Sequence, residues 1–458
     1  MQRGRRRSTP ICRSISPMRP LPVLRILVIF LIGAATADAT AADLLSIYRE
    51  AQKEDPVFAA ARANLSAGQE KIPQGLSGLL PAVTLSGNTL YNDRDLQFRN
   101  GAPGTNARFN SNALNVTATQ PLFRPQNWIT YEQAKNQLSQ AEASFVQAGQ
   151  ELMIRVAQAY FDVLLAENNV ALAAAQKTAY AEQLAQAKRN FEVGTATITD
   201  ANDAQARHDL AISQEIGAQN DLEVKKQALR QIVGSMPPPL ARISRGFSAQ
   251  PPVPNNMEAW VTQSASASPQ LKVAQMTYEV AAQEVAKNRG GHLPTLDAVA
   301  SYADTSQGAG LQGGIGFDGS TRYIGLQLAV PLYQGGLVNA KVREATANQE
   351  KSRQDLENTR RTVAQNTRAA FLGVTSGMAQ INALEAALRS SQSALDSTKL
   401  GQEVGVRTQV DVLNAQQQLI STRRDYAQAI YNYAINVLKL KAAAGTLAET
   451  DLAYVNQW

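Results

Sequence analysis

The sequence predicts a mainly α-helical fold with a smaller β part, built from one structural unit that occurs twice. Short motifs recur at an offset of about 211 residues along most of the chain, which is typical of internal duplication. Two long stretches lack proline and are rich in Ala, Gln, Glu, Leu and Lys, which favour helix. Four shorter segments alternate apolar and polar residues with a period of two, as β-strands do.

The duplication sets the boundaries that we expect. The matching motifs are Leu80-Pro81 with Leu293-Pro294, Pro121-Leu122-Phe123 with Pro331-Leu332-Tyr333, Val193-Gly194 with Val404-Gly405, and Gly234 with Gly445. The first repeat then covers residues 42–234 and the second 257–447, with a C-terminal tail at 448–458. The connection between the repeats, 235–256, is rich in proline, so we expect an irregular segment on the outside of the fold.

Each repeat begins with a helical segment, from Leu44 to about Leu76 in the first copy and from Met257 to about Lys287 in the second. A Leu-Pro step ends it, because proline disfavours helix in the residue before it. Two strands joined by a polar loop follow, at about 82–91 and 113–121 in one copy and about 295–303 and 322–331 in the other. Pro121 and Pro331 are expected to end the second strand of each pair.

The remainder of each repeat predicts a long helical hairpin, at about 127–234 and about 337–445. A continuous helix from Asn127 to Phe191 would be about 97 Å long. A coiled-coil seam is predicted by apolar residues spaced by three and four, which are Ile154, Ala157, Phe161 and Leu164. The glycines of the two Val-Gly motifs are expected to fold each long helix back on itself.

Charge is concentrated at the N-terminus. Residues 1–41 hold seven of the 44 basic residues and one of the 38 acidic ones, so 37 of each remain in the rest of the chain. An arginine-rich start, a short apolar run and small residues predict a signal peptide at 1–41, because the run is too short for a membrane anchor of roughly 20 residues. The basic excess therefore indicates export and not a nucleic-acid partner.

Residues suited to catalysis are scarce. The single cysteine, Cys12, lies in the predicted signal peptide, and the two histidines, His208 and His292, are far apart in the sequence. No phosphate-binding, nucleophile or metal-ligand motif occurs. The sequence thus predicts a protein that is not an enzyme and has no catalytic residues, no metal and no cofactor.

The four strands raise a problem of closure. Beyond residue 41 no run of 18 apolar residues occurs, which excludes a helical membrane span. The strands have the length of tilted barrel strands, but four strands cannot close a barrel, and open sheet edges are not tolerated in lipid. Either the strands stay outside the membrane or several chains share one barrel, with eight strands from two chains or twelve from three.

Several motifs together resemble the TolC family of outer-membrane exit ducts. They are Leu79-Leu80-Pro81, the Gln-Pro-Leu-Phe step from Gln120 to Phe123, the run from Val404 to Leu413 and the run from Tyr431 to Asn436. The resemblance implies a homotrimer with a twelve-stranded transmembrane β-barrel in the outer membrane of a Gram-negative cell. The barrel would continue into a periplasmic α-helical coiled-coil barrel.

The resemblance also implies a function. The chain would be a passive duct, gated at its periplasmic tip, for efflux of drugs and small toxic molecules, for type I secretion of proteins, or for both. Its partners would be outer-membrane lipid, a periplasmic adaptor (membrane fusion) protein and an inner-membrane ABC, RND or MFS transporter. The alternative from a different class is a periplasmic coiled-coil adaptor or scaffold of an envelope complex, without membrane insertion.

The same resemblance assigns roles near the two Val-Gly turns. The positions that match adaptor-docking residues of the family are Val193, Gly194, Thr195, Val404, Gly405 and Val406. Simple turn chemistry is the other interpretation of these residues, since glycine accepts the left-handed conformation that ends a helix.

A constriction is implied just beyond the second turn. Asp411 and Asn414 are three residues apart and share one helix face, where the family has two aspartates. Three chains would give one ring of carboxylates and one of amides, still favouring cations but less strongly. Asp203 is the counterpart of Asn414 in the first repeat and would restore some negative field. Asp200 and Asp411 could instead be helix N-cap residues.

A polar latch between neighbouring hairpins is implied as well. Arg407 matches the latch arginine, and Thr199 and Asp200 match its partners. Gln402 stands where the family has a tyrosine, which places the second latch contact in question. The hypothesis is that Arg407 bonds to Thr199 or Asp200 and holds the tip shut.

Overall fold

A computed structural model describes residues 42–99, 101, 103–243, 247–309 and 315–456. The predicted signal peptide lies outside the described residues. The elements of the first repeat are α1 (Leu44–Glu54), α2 (Pro56–Gln69), α3 (Lys71–Ser77), β1 (Ala82–Leu96), β2 (Thr105–Phe123), α4 (Pro125–Glu192) and α5 (Ile198–Val233). Those of the second are α6 (Met257–Ala267), α7 (Pro269–Arg289), β3 (Thr295–Ala309), β4 (Ile315–Ala329), α8 (Leu337–Glu403) and α9 (Gln409–Ala443).

The helical start of each repeat is broken where one continuous segment was predicted. In the first copy Asp55 ends α1 and caps α2, since its carboxylate accepts from the backbone N–H of Phe58 at 2.9 Å. Ser268 caps α7 in the equivalent way. A proline follows each cap, and proline is suited to the first position of a helix because its missing N–H would be unpaired there. The Asp-Pro and Ser-Pro pairs therefore start new helices.

The strands are longer than predicted and include most of the residues expected to form loops. β1, β3 and β4 have 15 residues each and β2 has 19. The prediction that Pro121 ends its strand is wrong, because β2 continues to Phe123 with a register shift between Pro121 and Phe123. A proline is tolerated there because a bulge requires no ladder hydrogen bond from it.

The four strands form one antiparallel sheet in the order β1-β2-β3-β4. The central pair, β2 with β3, joins the two repeats. Arg124, between β2 and α4, reinforces this junction with two hydrogen bonds to the buried carboxylate of Asp297 in β3, at 2.8 and 2.6 Å. The sheet of the described residues thus has β1 and β4 as its two edges.

The main core lies where the long hairpins pass the short helices. Leu44, Ile47 and Tyr48 of α1 pack with α4, α9 and the C-terminal α10 (Glu449–Asn456), a helix within the predicted tail. Of the predicted seam, Ala157, Phe161 and Leu164 are buried, and Ile154 is partly buried against the same core.

The connection between the repeats is irregular and mostly exposed, as expected, but part of it packs into the core. Leu240 is buried and pairs through a short parallel bridge with Ala42. The Tyr160 hydroxyl donates to the carbonyl of Ala241 at 2.7 Å, and burial raises the pKa of this tyrosine. Apolar residues of the connection therefore contribute to the same core as α1 and α4.

No helix among the described ranges is long and apolar enough to cross a membrane.

Two glycines that end the return helices give a matched test of this packing. Gly234 and Gly445 both have positive φ, at 83° and 74°. A Cβ at Gly445 would lie 2.3 Å from the backbone oxygen of Ala267, whereas at Gly234 it would meet the flexible side chain of Glu54 at 3.3 Å. Both alanine substitutions incur left-handed strain of about 1 kcal/mol, and Gly445→Ala also forces a backbone shift costing about 1–3 kcal/mol.

We therefore expect Gly445→Ala to lower the melting temperature of the detergent-solubilised protein clearly more than Gly234→Ala does. Circular dichroism at the helix band measures both. Equal melting temperatures for the two variants would contradict this account of the α6–α7 junction.

Candidate functional site

The two helix-return turns have the same geometry. The 68-residue α4 and the 67-residue α8 each end in a Val-Gly step, and Gly194 and Gly405 have φ of 75° and 79°. The backbone N–H groups of Val406 and Arg407 both donate to the carbonyl of Gly401, at 2.8 and 3.1 Å, and the first turn has the equivalent pair of bonds. A Cβ on either turn glycine would meet no atom within 4 Å, so glycine is required for its conformation and not for space.

The turns expose apolar side chains. Val193 is 73% exposed, Val404 67% and Val406 75%, and Thr195 is exposed beside them. Apolar side chains of the flanking helix ends, Phe191 and Leu400 among them, are exposed too. The structure thus places three of the predicted docking residues at each turn, where the exposed valines form an apolar patch that one chain leaves uncovered.

Asp200 and Asp411 each belong to a capping box. Thr408 caps α9 and its hydroxyl accepts from the backbone N–H of Asp411 at 3.2 Å, while the Asp411 carboxylate accepts from the backbone N–H and the hydroxyl of Thr408, both at 2.9 Å. Thr197 and Asp200 repeat this arrangement at the start of α5. The interpretation of the aspartates as N-cap residues is wrong, because the threonines are the caps and the aspartates are the reciprocal third residues.

The capping box also sets the charge of Asp411. Its pKa lies below the ordinary value of 3.8 because the Thr408 backbone N–H and hydroxyl bond to the carboxylate, with a smaller contribution from Arg407. Hydrogen bonds to the charged form favour ionisation. The carboxylate is therefore ionised at neutral pH while it stabilises the first turn of α9.

The packing of α9 decides which face it leaves uncovered. Val412 packs with Leu395 of α8, and Leu413 packs with Tyr180 of α4 and Ala211 of α5. Since successive residues are about 100° apart on a helix, Asp411 and Asn414 lie beside these two buried residues on a more exposed face, with Asn414 exposed and Asp411 half-buried. Asp411 and Asn414 thus lie on the same side of α9, as their spacing predicts. Asp203, their predicted companion, is exposed on α5.

Sequence reasoning missed the partner of Asn414. Arg207 of α5 donates from Nη2 to the amide oxygen of Asn414 at 2.8 Å and from Nη1 to the amide oxygen of Gln417 at 3.0 Å. Gln183 of α4 donates to Gln416 of α9 at 2.5 Å nearby. These contacts join residues more than 200 positions apart, so no local pattern signals them.

Within one chain the structure does not bring the predicted latch residues together. Asp200 bonds to Thr197, Gln402 donates to Gln409 across the second turn, and Thr199 is exposed. Arg407 is exposed, and among the described residues it forms no side-chain hydrogen bond to Thr199 or Asp200. The latch between neighbouring hairpins stays a prediction.

In the part of the chain that the structure describes, no group of three or more His, Cys, Asp or Glu residues is arranged to hold a metal ion.

Solved structures define the class of fold. The chain is similar to the outer membrane channel CmeC of Campylobacter jejuni, with a TM-score of 0.76 and 16% identity over 95% of each chain. It is also similar to the outer membrane protein VceC of Vibrio cholerae, with a TM-score of 0.73 and 20% identity over 88% of this chain and 96% of the other. The fold is that of an outer-membrane channel with a duplicated repeat.

Sequence comparison gives the family. The sequence pattern of the outer membrane efflux protein family matches residues 47–235 and 260–446, one match for each repeat, and this chain belongs to that family. It is 33% identical to the outer membrane protein TolC of Escherichia coli over 95% of this chain and 88% of the relative. It is 32% identical to the alkaline protease secretion protein AprF of Pseudomonas aeruginosa over 91% of this chain and 87% of the relative.

The protein is therefore an outer-membrane channel of the efflux and secretion type, as the resemblance implied. The alternative of a periplasmic scaffold without membrane insertion is not supported, because the family is one of outer-membrane transport channels.

The capping box predicts a pH dependence of stability. The folded pKa of Asp411 is lowered, so its contribution is present above the ordinary value of 3.8 and is lost as the pH falls through the folded value. We expect Asp411→Asn to lower the melting temperature at neutral pH. The difference from wild type should narrow as the pH falls below 3.8.

Melting temperatures of both proteins between about pH 3 and pH 7 check this expectation. The control is Asp203→Asn, since Asp203 is exposed beyond the first turn of α5. A constant difference between Asp411→Asn and wild type over that range would contradict the role of the Asp411 carboxylate.

Proposed function

We propose that three copies of this chain form a trimer whose sheets close one twelve-stranded barrel in the outer membrane. Support comes from the sheet, which has two open edges and leaves apolar side chains such as Ile324 (86% exposed) and Leu326 (69% exposed) uncovered in one chain. Open edges are excluded from lipid, and pairing β4 of one copy with β1 of the next removes all of them. Lipid would then cover the apolar outer face.

The helical hairpins of the three copies then form a tunnel that extends into the periplasm. The 68 residues of α4 correspond to about 102 Å. The single observation that carries the proposed function is the placement of both exposed apolar turns at the end of these helices. A periplasmic adaptor protein would dock there and connect the passive duct to an inner-membrane ABC, RND or MFS transporter.

The cargo follows from the transporter and not from the duct. One relative is an alkaline protease secretion protein and another, BepC of Brucella suis, is an outer membrane efflux protein, so both small molecules and proteins are proposed substrates. Asp411 lies on the more exposed face of α9, and three copies around an axis would form a ring of carboxylates at the tip. Such a ring favours cations at the constriction.

Substitutions in the turns test the docking role. Val404→Asp together with Val406→Asp places charge in the apolar patch without changing a buried side chain. We expect a strain that carries this variant as its only duct to become as sensitive to efflux substrates as a deletion strain, and to lose type I secretion where it has that pathway. Drug susceptibility and secreted protein in the medium measure these outcomes.

The matched control is Val253→Asp, because Val253 is also a highly exposed valine, but it lies in the connection, far along the chain from the turns. Both variants should reach the outer membrane in wild-type amounts. Full export by the Val404→Asp, Val406→Asp variant would overturn the docking proposal, and full export by a deletion strain would overturn the duct itself.

The latch has its own test. We propose that Arg407 reaches Thr199 or Asp200 of a neighbouring chain and holds the tip closed, since within its own chain it has no bond to either residue among those described. Arg407→Ser should raise the mean single-channel conductance in planar bilayers. Unchanged conductance in an assembled trimer would refute the latch.

A further inference from the structure

The two hairpins of one chain have few contacts near the tip. Tyr180, Ala211 and Leu413 form one small buried cluster there. Beyond it, the hydrogen bonds between the hairpins in the described part of the chain are those from Gln183 to Gln416 and from Arg207 to Asn414 and Gln417. The attachment of α9 to the first hairpin at this level therefore depends on a small number of polar contacts.

The Gln183–Gln416 contact is only half satisfied. The amide oxygen of Gln183 is buried and has no hydrogen-bond partner among the described residues. A buried polar group without a partner opposes the association that buries it. The glutamine pair is consequently the weaker of the two polar links.

Arg207 forms the stronger link. Its guanidinium spans one turn of α9, with Nη2 on Asn414 at 2.8 Å and Nη1 on Gln417 at 3.0 Å. A guanidinium only donates, so both amides must turn their oxygens toward it. Hydrogen bonds with a charged partner are roughly twice as strong as neutral ones, and the planar fork fixes their direction.

Asn414 connects this link to the candidate gate. It shares the more exposed face of α9 with Asp411, and its amide oxygen accepts a hydrogen bond from the guanidinium of Arg207 on α5. The second ring of the constriction is therefore not a ring of free amides. Each of its amides carries a guanidinium, so the positive charge lies about one helical turn from the carboxylate.

We propose that Arg207 is a clasp that holds α9 against the first hairpin in the closed tip and reduces the cation selectivity of the constriction. The proposal rests on the proposed gate at the tip, and it assigns Arg207 as a positioning residue. Outward movement of α9 at this level breaks both hydrogen bonds of the fork. Because Asn414 and Gln417 are neutral, Arg207 can move away from them without leaving an unpaired carboxylate behind. The clasp can therefore open at a modest free-energy cost.

Arg207→Gln in the full-length trimer is the direct test. Loss of the clasp favours the open tip, so we expect the mean single-channel conductance in planar bilayers to rise at least about twofold. Loss of three positive charges should also shift the reversal potential in a salt gradient toward stronger cation selectivity.

Lys188→Gln is the matched control for charge. Lys188 of α4 lies close to the same turn and donates to Gln205 of α5 at 3.3 Å, so it links the two helices of one hairpin and not the two hairpins. We expect its conductance to equal that of wild type. A rise as large as that of Arg207→Gln would show a general charge effect and would overturn the clasp.

Two further variants separate the clasp from its charge. Arg207→Lys retains the charge without the fork, so its conductance should rise while its selectivity stays that of wild type. Asn414→Ala removes one acceptor, and its conductance increase should not add to that of Arg207→Gln in the double variant. If Arg207→Gln does not assemble, Arg207→Lys and Asn414→Ala still test the clasp, because each weakens the fork and should raise the conductance.

Assembly is checked by the migration of the heat-resistant trimer in gels. Wild-type conductance of assembled Arg207→Gln, or additive effects in the double variant, overturns the clasp. A wild-type protein that forms no channel would overturn the proposed duct instead. A wild-type channel that responds to Arg407→Ser but not to Arg207→Gln leaves the duct and the latch intact and removes the clasp alone.

Discussion

The unpaired edges of a four-stranded sheet are the constraint on which the architecture depends. β1 and β4 each present a row of backbone N–H and C=O groups that one chain leaves unpaired. In lipid such groups cost several kcal/mol each, so a single copy is not a viable membrane structure. A sheet that spans the membrane as proposed must therefore assemble with other copies to pair its backbone, and the proposed trimer is one geometry that does so.

The transition from sheet to helix is held by a few buried polar contacts. Arg124 bonds through both arms of its fork to Asp297, and Asp55 accepts from Arg155 at 2.6 Å while it caps α2. Both carboxylates are buried, so each requires its partner, because an isolated buried charge is strongly unfavourable. These ion pairs fix the start of α4 on the sheet and its middle on the short helices, which sets the direction of the long hairpin.

At the tip, the polar contacts between the hairpins are weaker and more exposed than these buried ion pairs. The capping boxes define where α5 and α9 begin, but the hairpins meet through one small apolar cluster and amide or guanidinium contacts. The proposed opening of the tip depends on this contrast, since regions with few buried contacts open at low free-energy cost. The large apolar residues of α4 are concentrated around Tyr160, where they form the main core. Few of them lie near the tip, so the two hairpins are joined there by few buried contacts.

The sequence by itself determined the duplicated order of elements, the extent of the long hairpins, the two glycine turns and the apolar seam, because each depends on local propensity or periodicity. It placed Asp411 and Asn414 on one face for the same reason. It missed the continuation of β2 through Pro121 and the burial of Leu240, since a bulge and a packed connection depend on the neighbouring strand and core.

Only the tertiary structure decided that Arg207 donates hydrogen bonds to Asn414 and that the Asp411 carboxylate accepts them from Thr408, the N-cap of α9. It also decided that Arg407 forms no hydrogen bond within its own chain to Thr199 or Asp200 among the described residues. The physical reason is that hydrogen-bond partners across packed helices are chosen by axial stagger and rotation. These quantities arise when elements more than 200 residues apart in sequence come together.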